Sequence, residues 1–165
     1  GRILEKNGVQ LKNFTRKNAP ALCLSTRPKE KLGKEYDLGE VETYWLTTMS
    51  TGDYTLDPKR LDFEVMRVVS KFMKEKNGGV VLIDGVEYLI SENGFEVTSA
   101  FLKKVSDMAS VNNITLLVPV NPSAVEKEKL SALRREFDKV EVFAEEFEEG
   151  PKEERGESKD KELRL

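Results

Sequence analysis

Val80-Val81-Leu82-Ile83-Asp84-Gly85 is the stretch that most clearly indicates the fold of this chain. Four consecutive apolar residues, three of them β-branched, are typical of a central strand in a parallel sheet that helices cover on both faces. Turn residues flank the run, with Asn77-Gly78-Gly79 before it and Asp84-Gly85 after it. We therefore predict a buried parallel strand that delivers Asp84 to the edge of the sheet where the strands end.

The rest of the chain alternates between strand-like and helix-like segments. Short apolar runs rich in β-branched residues predict strands, and apolar residues at intervals of three or four predict helices. The predicted strands are residues 21–25, 41–47, 80–83, 114–120 and 140–144. The predicted helices are residues 28–36, 58–76, 95–111 and 122–137. Thr26 is the expected cap of the first helix, and Asp57 that of the second, with Pro58 at its first position.

Strands that alternate with helices are typical of βαβ units, in which right-handed crossovers join parallel strands. We therefore predict an α/β fold, a mostly parallel open sheet with helices on both faces, in a single domain over residues 1–144. Residues 3–17 are left open between a helix and a strand that ends at Ile3-Leu4. Residues 145–165 hold nine acidic and five basic side chains, interrupted by Gly and Pro, which predicts a disordered acidic tail.

The composition excludes several classes of function. The chain has no His and one Cys, so Ser-His or Cys-His nucleophile pairs and the usual His/Cys metal sites cannot be assembled. Cys23 lies within an apolar run and is expected to be a buried, inert thiol. The net charge is -3 without a basic stripe, which disfavours nucleic-acid binding. We expect no catalytic residue, no metal, no cofactor and no nucleic-acid partner.

An acid at the end of a buried strand is the most informative motif. In enzymes that hydrolyse nucleoside triphosphates, such a carboxylate holds the magnesium ion and its water. Asp84 is therefore a candidate residue of a nucleotide site. The partner motif, a Gly-rich phosphate loop of the form G-x-x-x-x-G-K-[ST], does not occur in the sequence. Because polar loops begin wherever a strand of an α/β sheet ends, Asp84 alone does not establish nucleotide binding.

Four short pieces follow one another at consistent spacing over residues 21–136. They are Ser25-Thr26-Arg27-Pro28, Tyr44-Trp45-Leu46, Leu82-Ile83-Asp84-Gly85-Val86-Glu87-Tyr88-Leu89-Ile90 with Asn93-Gly94-Phe95-Glu96, and Pro119-Val120-Asn121-Pro122. Together they resemble the archaeal family called domain of unknown function 835. The resemblance implies a domain without an assigned biochemical role that occurs appended to other archaeal segments.

The order of elements also resembles the later half of the KaiC-like, RecA-like ATPase core, with two departures. In active members the strand corresponding to residues 21–25 ends in a catalytic carboxylate, whereas here it continues into Ser25-Thr26-Arg27. The phosphate loop would lie upstream of residue 20, in a part of the core that this chain either lost by truncation or never had. The resemblance therefore implies an inactive relative of that core.

The KaiC-like strand order would also bring two charged residues together. It makes the strand that ends at Ser25 a neighbour of the strand that ends at Asp84, so Arg27 and Asp84 would meet at the carboxyl edge of the sheet. That edge is the usual ligand crevice of such sheets. The two residues form either a structural ion pair, which is the commoner outcome, or a site for a phosphate or carboxylate ligand.

Trp45, Tyr88 and Leu89 are candidates for an interaction surface. Tyr88 and Leu89 follow Asp84 in a segment too apolar for a solvated loop, so they either pack beneath the loop, which we favour, or form a contact surface. Trp45 lies on a predicted edge strand, and an exposed edge is a template for strand pairing. A homodimer through residues 41–47 is therefore one hypothesis.

These observations predict a non-catalytic signalling or protein-interaction module whose protein partner the sequence does not identify. The alternative is a binder of a nucleotide or small anionic ligand at the carboxyl edge, and a degenerate NTPase ranks third. A chain that begins with Gly1 is expected to be part of a larger archaeal protein. Its 35% charged residues and single Gln predict a thermophilic source. No apolar run is long enough to span a membrane, so we expect a cytoplasmic fragment without membrane contact, either alone or as the cytoplasmic domain of a membrane-associated protein.

Overall fold

The computed structural model describes residues 2–4, 19–34, 36, 38, 39, 41–49, 52–137 and 139–141. The predicted acidic tail, residues 145–165, lies outside the described residues. So do residues 142–144 of the last predicted strand and residues 5–17 of the segment that the sequence left open.

The described residues form one seven-stranded sheet in which every paired neighbour is parallel. The strands are β1 (Arg2–Leu4), β2 (Ala21–Ser25), β3 (Glu42–Leu46), β4 (Thr55–Leu56), β5 (Val80–Asp84), β6 (Thr115–Pro119) and β7 (Lys139–Glu141). Their order across the sheet is β4-β3-β2-β5-β6-β1-β7. The predicted open parallel sheet is confirmed, and so is the predicted adjacency of the strands that end at Ser25 and Asp84.

Helices connect these strands. They are α1 (Lys29–Leu32), α2 (Met66–Glu75), α3 (Val86–Asn93), α4 (Phe95–Val111) and α5 (Lys127–Arg135). A π-helical turn over Leu61–Val65 leads into α2, and a short 3-10 turn over Pro122–Ala124 precedes α5. The bounds of α4 agree with the prediction for residues 95–111.

Successive residues of β5 point to opposite faces of the sheet, and both faces are covered. Val81 and Ile83 belong to the larger core, which they share with buried side chains of α2, α3, α4 and α5. Val80 and Leu82 belong to a smaller core on the other face, with Leu32 of α1. Because both faces are buried, the β5 sequence is continuously apolar rather than alternating, as expected for a central parallel strand.

The segment after Asp84 is a helix, not the apolar loop that the sequence suggested. Gly85 has a φ of +99° and turns the chain directly from β5 into α3, and Gly94, with a φ of +88°, separates α3 from α4. α3 has only eight residues, too few turns to show a clear helical period in the sequence. Val86 and Leu89 face the core and are fully buried.

The predicted edge strand is not the outermost strand, because β4 pairs with it on the outer side. Trp45 and Leu46 of β3 are opposite Thr55 and Leu56. A strand of two residues gives no alternating pattern, so the sequence did not reveal it. The proposed homodimer through residues 41–47 would therefore have to use the part of β3 that β4 leaves uncovered.

Helix starts were the least accurate predictions. Asp57 does not cap a helix: its Oδ1 accepts the Lys59 amide at 2.9 Å and its carbonyl accepts the Arg60 amide at 3.0 Å, so residues 57–60 form a turn. Asp followed by Pro suits such a turn as well as a cap. Pro28, rather than Thr26, is the N-cap residue of α1, and no side chain caps that helix.

We expect Gly85→Ala to unfold or strongly destabilise the domain. A Cβ at position 85 would overlap Oγ1 of Thr26, and the left-handed backbone adds strain, so the cost should be about 3–5 kcal/mol. Gly78→Ala is the matched control, since Gly78 has a φ of +81° but open space around it. It should cost about 1–2 kcal/mol. Equal losses in urea unfolding would contradict the close approach of Thr26.

Candidate functional site

The carboxyl edge of the sheet places Asp84 beside Ser25. Both residues end their strands, and the register of β2 against β5 makes them direct neighbours. The side chain of Asp84 is 11% exposed, and Ser25 is fully buried. A buried carboxylate without partners would be costly, so its hydrogen bonds decide what this site can do.

Both carboxylate oxygens of Asp84 are bound by side chains of this chain. The Ser25 hydroxyl donates to Oδ2 at 2.7 Å. The Arg27 guanidinium spans the carboxylate, with Nε donating to Oδ2 at 3.2 Å and Nη2 to Oδ1 at 3.3 Å. We call Ser25, Arg27 and Asp84 the Asp84 cluster. The structure thus brings the two residues predicted from the sequence together as a bidentate ion pair.

Main-chain contacts hold the cluster in place. Ser25 Oγ also accepts the Arg27 amide at 2.9 Å, and the Thr26 amide donates to the Asp84 carbonyl at 3.3 Å. The Trp45 indole N–H donates to the Thr26 carbonyl at 3.3 Å. Arg27 is therefore positioned by a turn that is tied to both neighbouring strands. The sequence did not single out Ser25, because its role depends on the register of two strands.

This arrangement leaves little capacity for metal chemistry at Asp84. Magnesium needs carboxylate oxygens at about 2.0–2.1 Å. The positive charge beside Asp84 is instead the guanidinium of Arg27, which approaches both oxygens. The neighbouring strand β2 ends in the neutral Ser25 rather than in a second carboxylate. The geometry of the cluster is that of a structural ion pair, which charge-assisted hydrogen bonds strengthen.

Two further groups near this edge, Cys23 and Glu87, are also buried or engaged. Burial raises the pKa of the Cys23 thiol far above its usual range, and the nearby charge of Asp84 adds to the effect, so the thiolate nucleophile is not available. A carboxylate oxygen of Glu87 accepts the Asn121 amide and joins α3 to the loop after β6. Within the described ranges, no group of three or more His, Cys, Asp or Glu side chains is arranged to hold a metal ion.

Trp45, Tyr88 and Leu89 do not form one exposed surface. Leu89 is fully buried, because α3 directs it into the larger core. For Leu89 the favoured packing is therefore confirmed, and the alternative of a contact surface is wrong. Tyr88 is 39% exposed. Trp45 is half-buried beside the Asp84 cluster.

Large exposed apolar side chains are found instead around β4. Met49 and Tyr54 are each 59% exposed, and Phe63 is 70% exposed. They precede and follow the two residues of β4 in the chain. The sequence contained this signal, since apolar residues stand in a segment full of turn residues. It did not indicate that these residues lie close together, because β4 was not predicted.

A groove lies between α1, β3 and the segment that enters β4, and we call it the β3 groove. Its volume is about 710 Å³. It is lined by Pro28, Lys29, Glu30, Val41, Glu42, Thr43, Trp45, Gly52, Tyr54 and Thr55. The ring of Tyr54 packs on that of Tyr44 with 5.1 Å between centroids. Burial, and then a hydrogen bond to Glu42, raise the pKa of Tyr44 to about 12.

No helix among the described residues is both long and apolar enough to cross a membrane.

We expect Asp84→Asn to destabilise the domain by about 2 kcal/mol, because the amide keeps the shape but loses charge-assisted bonds to Arg27 and Ser25. Asp107→Asn is the matched control, since Asp107 is exposed and pairs only with Lys103 on the surface of α4. Its cost should stay below about 0.5 kcal/mol. Chemical denaturation at pH 7 measures both, and equal effects would mean that the Asp84 cluster is not structural.

Comparison with one solved structure supports the fold. The chain is similar to a protein of Pyrococcus horikoshii OT3 known from the structural study of Project ID PH0250, with a TM-score of 0.57 and 12% identity over 87% of this chain and 81% of that chain. It is also similar to the flagellar accessory protein FlaH from Methanocaldococcus jannaschii, with a TM-score of 0.48 and 16% identity over 90% of this chain and 72% of that chain.

Comparison with sequence families gives a more specific result. A search of curated proteins gave no match. One family model matches residues 4–137, which is most of the chain and includes all four sequence pieces quoted above. The predicted family is confirmed: the chain belongs to the family described as Protein of unknown function (DUF835).

Proposed function

We propose that this domain is a non-catalytic protein-interaction or signalling module. The observation that carries the proposal is the engagement of both Asp84 oxygens by Ser25 and Arg27. A carboxylate that served a nucleotide-bound magnesium ion would have to exchange these bonds for metal ligation. In this domain the same carboxylate joins β5 to the turn after β2.

The sequence that follows β1 supports the same proposal. A phosphate loop follows a strand and cradles phosphates with Gly-rich backbone amides and a Lys. β1 is a strand inside the sheet, between β6 and β7, but no G-x-x-x-x-G-K-[ST] motif follows it or occurs elsewhere in the chain. Triphosphate binding would therefore lack its main electrostatic support.

A second candidate function is the binding of a small anionic ligand at the carboxyl edge. It is favoured by the exposure of Arg27, whose side chain is 34% accessible while it contacts Asp84. Arginine is well suited to bind phosphate and carboxylate groups through charge-assisted hydrogen bonds. If the domain binds an anionic ligand, a small molecule should bind it saturably. If the domain is an interaction module, no such small ligand is expected.

The domain is also proposed to act as part of a larger archaeal protein, on the cytoplasmic side of the cell. The Pyrococcus horikoshii origin of one similar solved structure supports the archaeal source in the first part of this proposal. The second part depends only on the apolar content of the sequence.

Thermal unfolding with a panel of magnesium nucleotides and cyclic dinucleotides tests the proposal. A ligand that binds only the folded state adds about 2.7 kcal/mol at 100 times its dissociation constant, which a melting curve detects easily. We expect no shift for the native chain. Arg27→Gln serves as the matched variant, because it removes the guanidinium while Ser25 still holds Asp84. A shift in the native chain that this variant loses would establish the ligand-binding alternative.

A further inference from the structure

Part of the edge of β3 is not covered by β4. The two strands pair only at Trp45 and Leu46, whereas β3 begins at Glu42. Hydrogen-bonding groups alternate between the two sides of a strand, and the Trp45 amide points outward, donating to the Tyr54 carbonyl at 2.9 Å. The amide and carbonyl of Thr43, two residues earlier, therefore also face outward, at a position where β4 has no residue.

The outward groups of Thr43 open into the β3 groove. Trp45 and Tyr54 both line the groove; Trp45 is half-buried and Tyr54 is 59% exposed. A strand edge requires a partner that has a hydrogen-bond donor and acceptor at the spacing of an extended main chain. The two aromatic side chains require a partner with apolar groups to contact them. An extended polypeptide meets both requirements, as in recognition by strand addition.

The charges that line the groove favour a basic segment. Glu30 and Glu42 contribute two carboxylates, and Lys29 contributes one cation. The Tyr44 hydroxyl donates to Glu42 at 3.0 Å and fixes the orientation of that carboxylate beside the strand edge. A basic side chain on the bound segment would meet Glu42 next to the main-chain hydrogen bonds.

We propose that the β3 groove binds an extended, basic segment of a partner protein, which adds to β3 as a strand next to Thr43. Its apolar side chains contact Trp45 and Tyr54, and a basic side chain faces Glu42. The inference rests on the proposed function, since it names the surface through which the interaction module acts.

Fluorescence of Trp45 is a direct readout, because Trp45 is the only tryptophan of the chain and lines the groove. The probe is the capped hexapeptide acetyl-Lys-Val-Lys-Val-Lys-Val-amide, titrated into the purified domain at low salt. We expect a saturable change in Trp45 emission. A peptide with Glu in place of Lys should bind at least about tenfold more weakly, because like charges then face Glu30 and Glu42.

Two changes isolate the main-chain contacts. N-methylation of alternate amides of the peptide removes the donors that strand addition requires and should weaken binding about tenfold. Thr43→Pro removes the outward amide of β3, at an edge position where Pro is tolerated, and should have a similar effect. Thr43→Val keeps the main-chain amide and is the comparison, so it should bind the peptide at least about fivefold more tightly than Thr43→Pro.

Each of the following outcomes overturns the inference. Absence of binding, or equal binding of the N-methylated peptide, excludes strand addition by a basic segment. A dimer in analytical ultracentrifugation that Thr43→Pro converts to a monomer assigns the edge to a second copy of this chain. The proposed function fails separately, through a thermal shift with magnesium nucleotides, so the two failures are distinguishable.

Discussion

The ion pair between Arg27 and Asp84 is the interaction on which the carboxyl edge of this domain depends. It joins the end of the central strand β5 to the turn after β2, and the Ser25 hydroxyl donates a further hydrogen bond to the carboxylate. Breaking such a pair from one side would leave a charge with 11% exposure uncompensated, which is strongly unfavourable. The geometry of this edge and the engagement of both Asp84 oxygens therefore have one common cause.

The close approach of Thr26 to Gly85 is one of the same set of contacts at the carboxyl edge of the sheet. Thr26 donates its amide to the Asp84 carbonyl, and its side chain occupies the space that any Cβ at position 85 would need. The chain can therefore turn from β5 into α3 only through a residue without a side chain. Trp45 extends the network outward, through its indole N–H, to the groove that we propose as a binding surface.

Much of this fold could be predicted from the sequence, because the signals were long and local. The apolar run 80–83 and the helical period of residues 95–111 each extend over a whole element, and both predictions are confirmed. The adjacency of Arg27 and Asp84 was also predictable, but it required the strand order of the RecA-like resemblance. Composition and periodicity alone do not specify which strands are neighbours.

The features that were missed depend on contacts between distant residues. β4 has two residues, so it has no pattern of its own and exists only through its pairing with β3. Ser25 has a role only because the register of β2 against β5 places it opposite Asp84. Leu89 was assigned correctly to packing only as one of two alternatives, since a helix of eight residues after Gly85 shows little period.

The central claim is that the Asp84 carboxylate is committed to Arg27 within the domain rather than reserved for a ligand. A double-mutant cycle tests it most directly, with the free energy of unfolding measured for the native chain, Arg27→Met, Asp84→Asn and the double variant. The account predicts a favourable coupling energy of about 1.5 kcal/mol between the two positions. A coupling energy near zero would contradict it, because Asp84 would then gain nothing from the guanidinium that spans it.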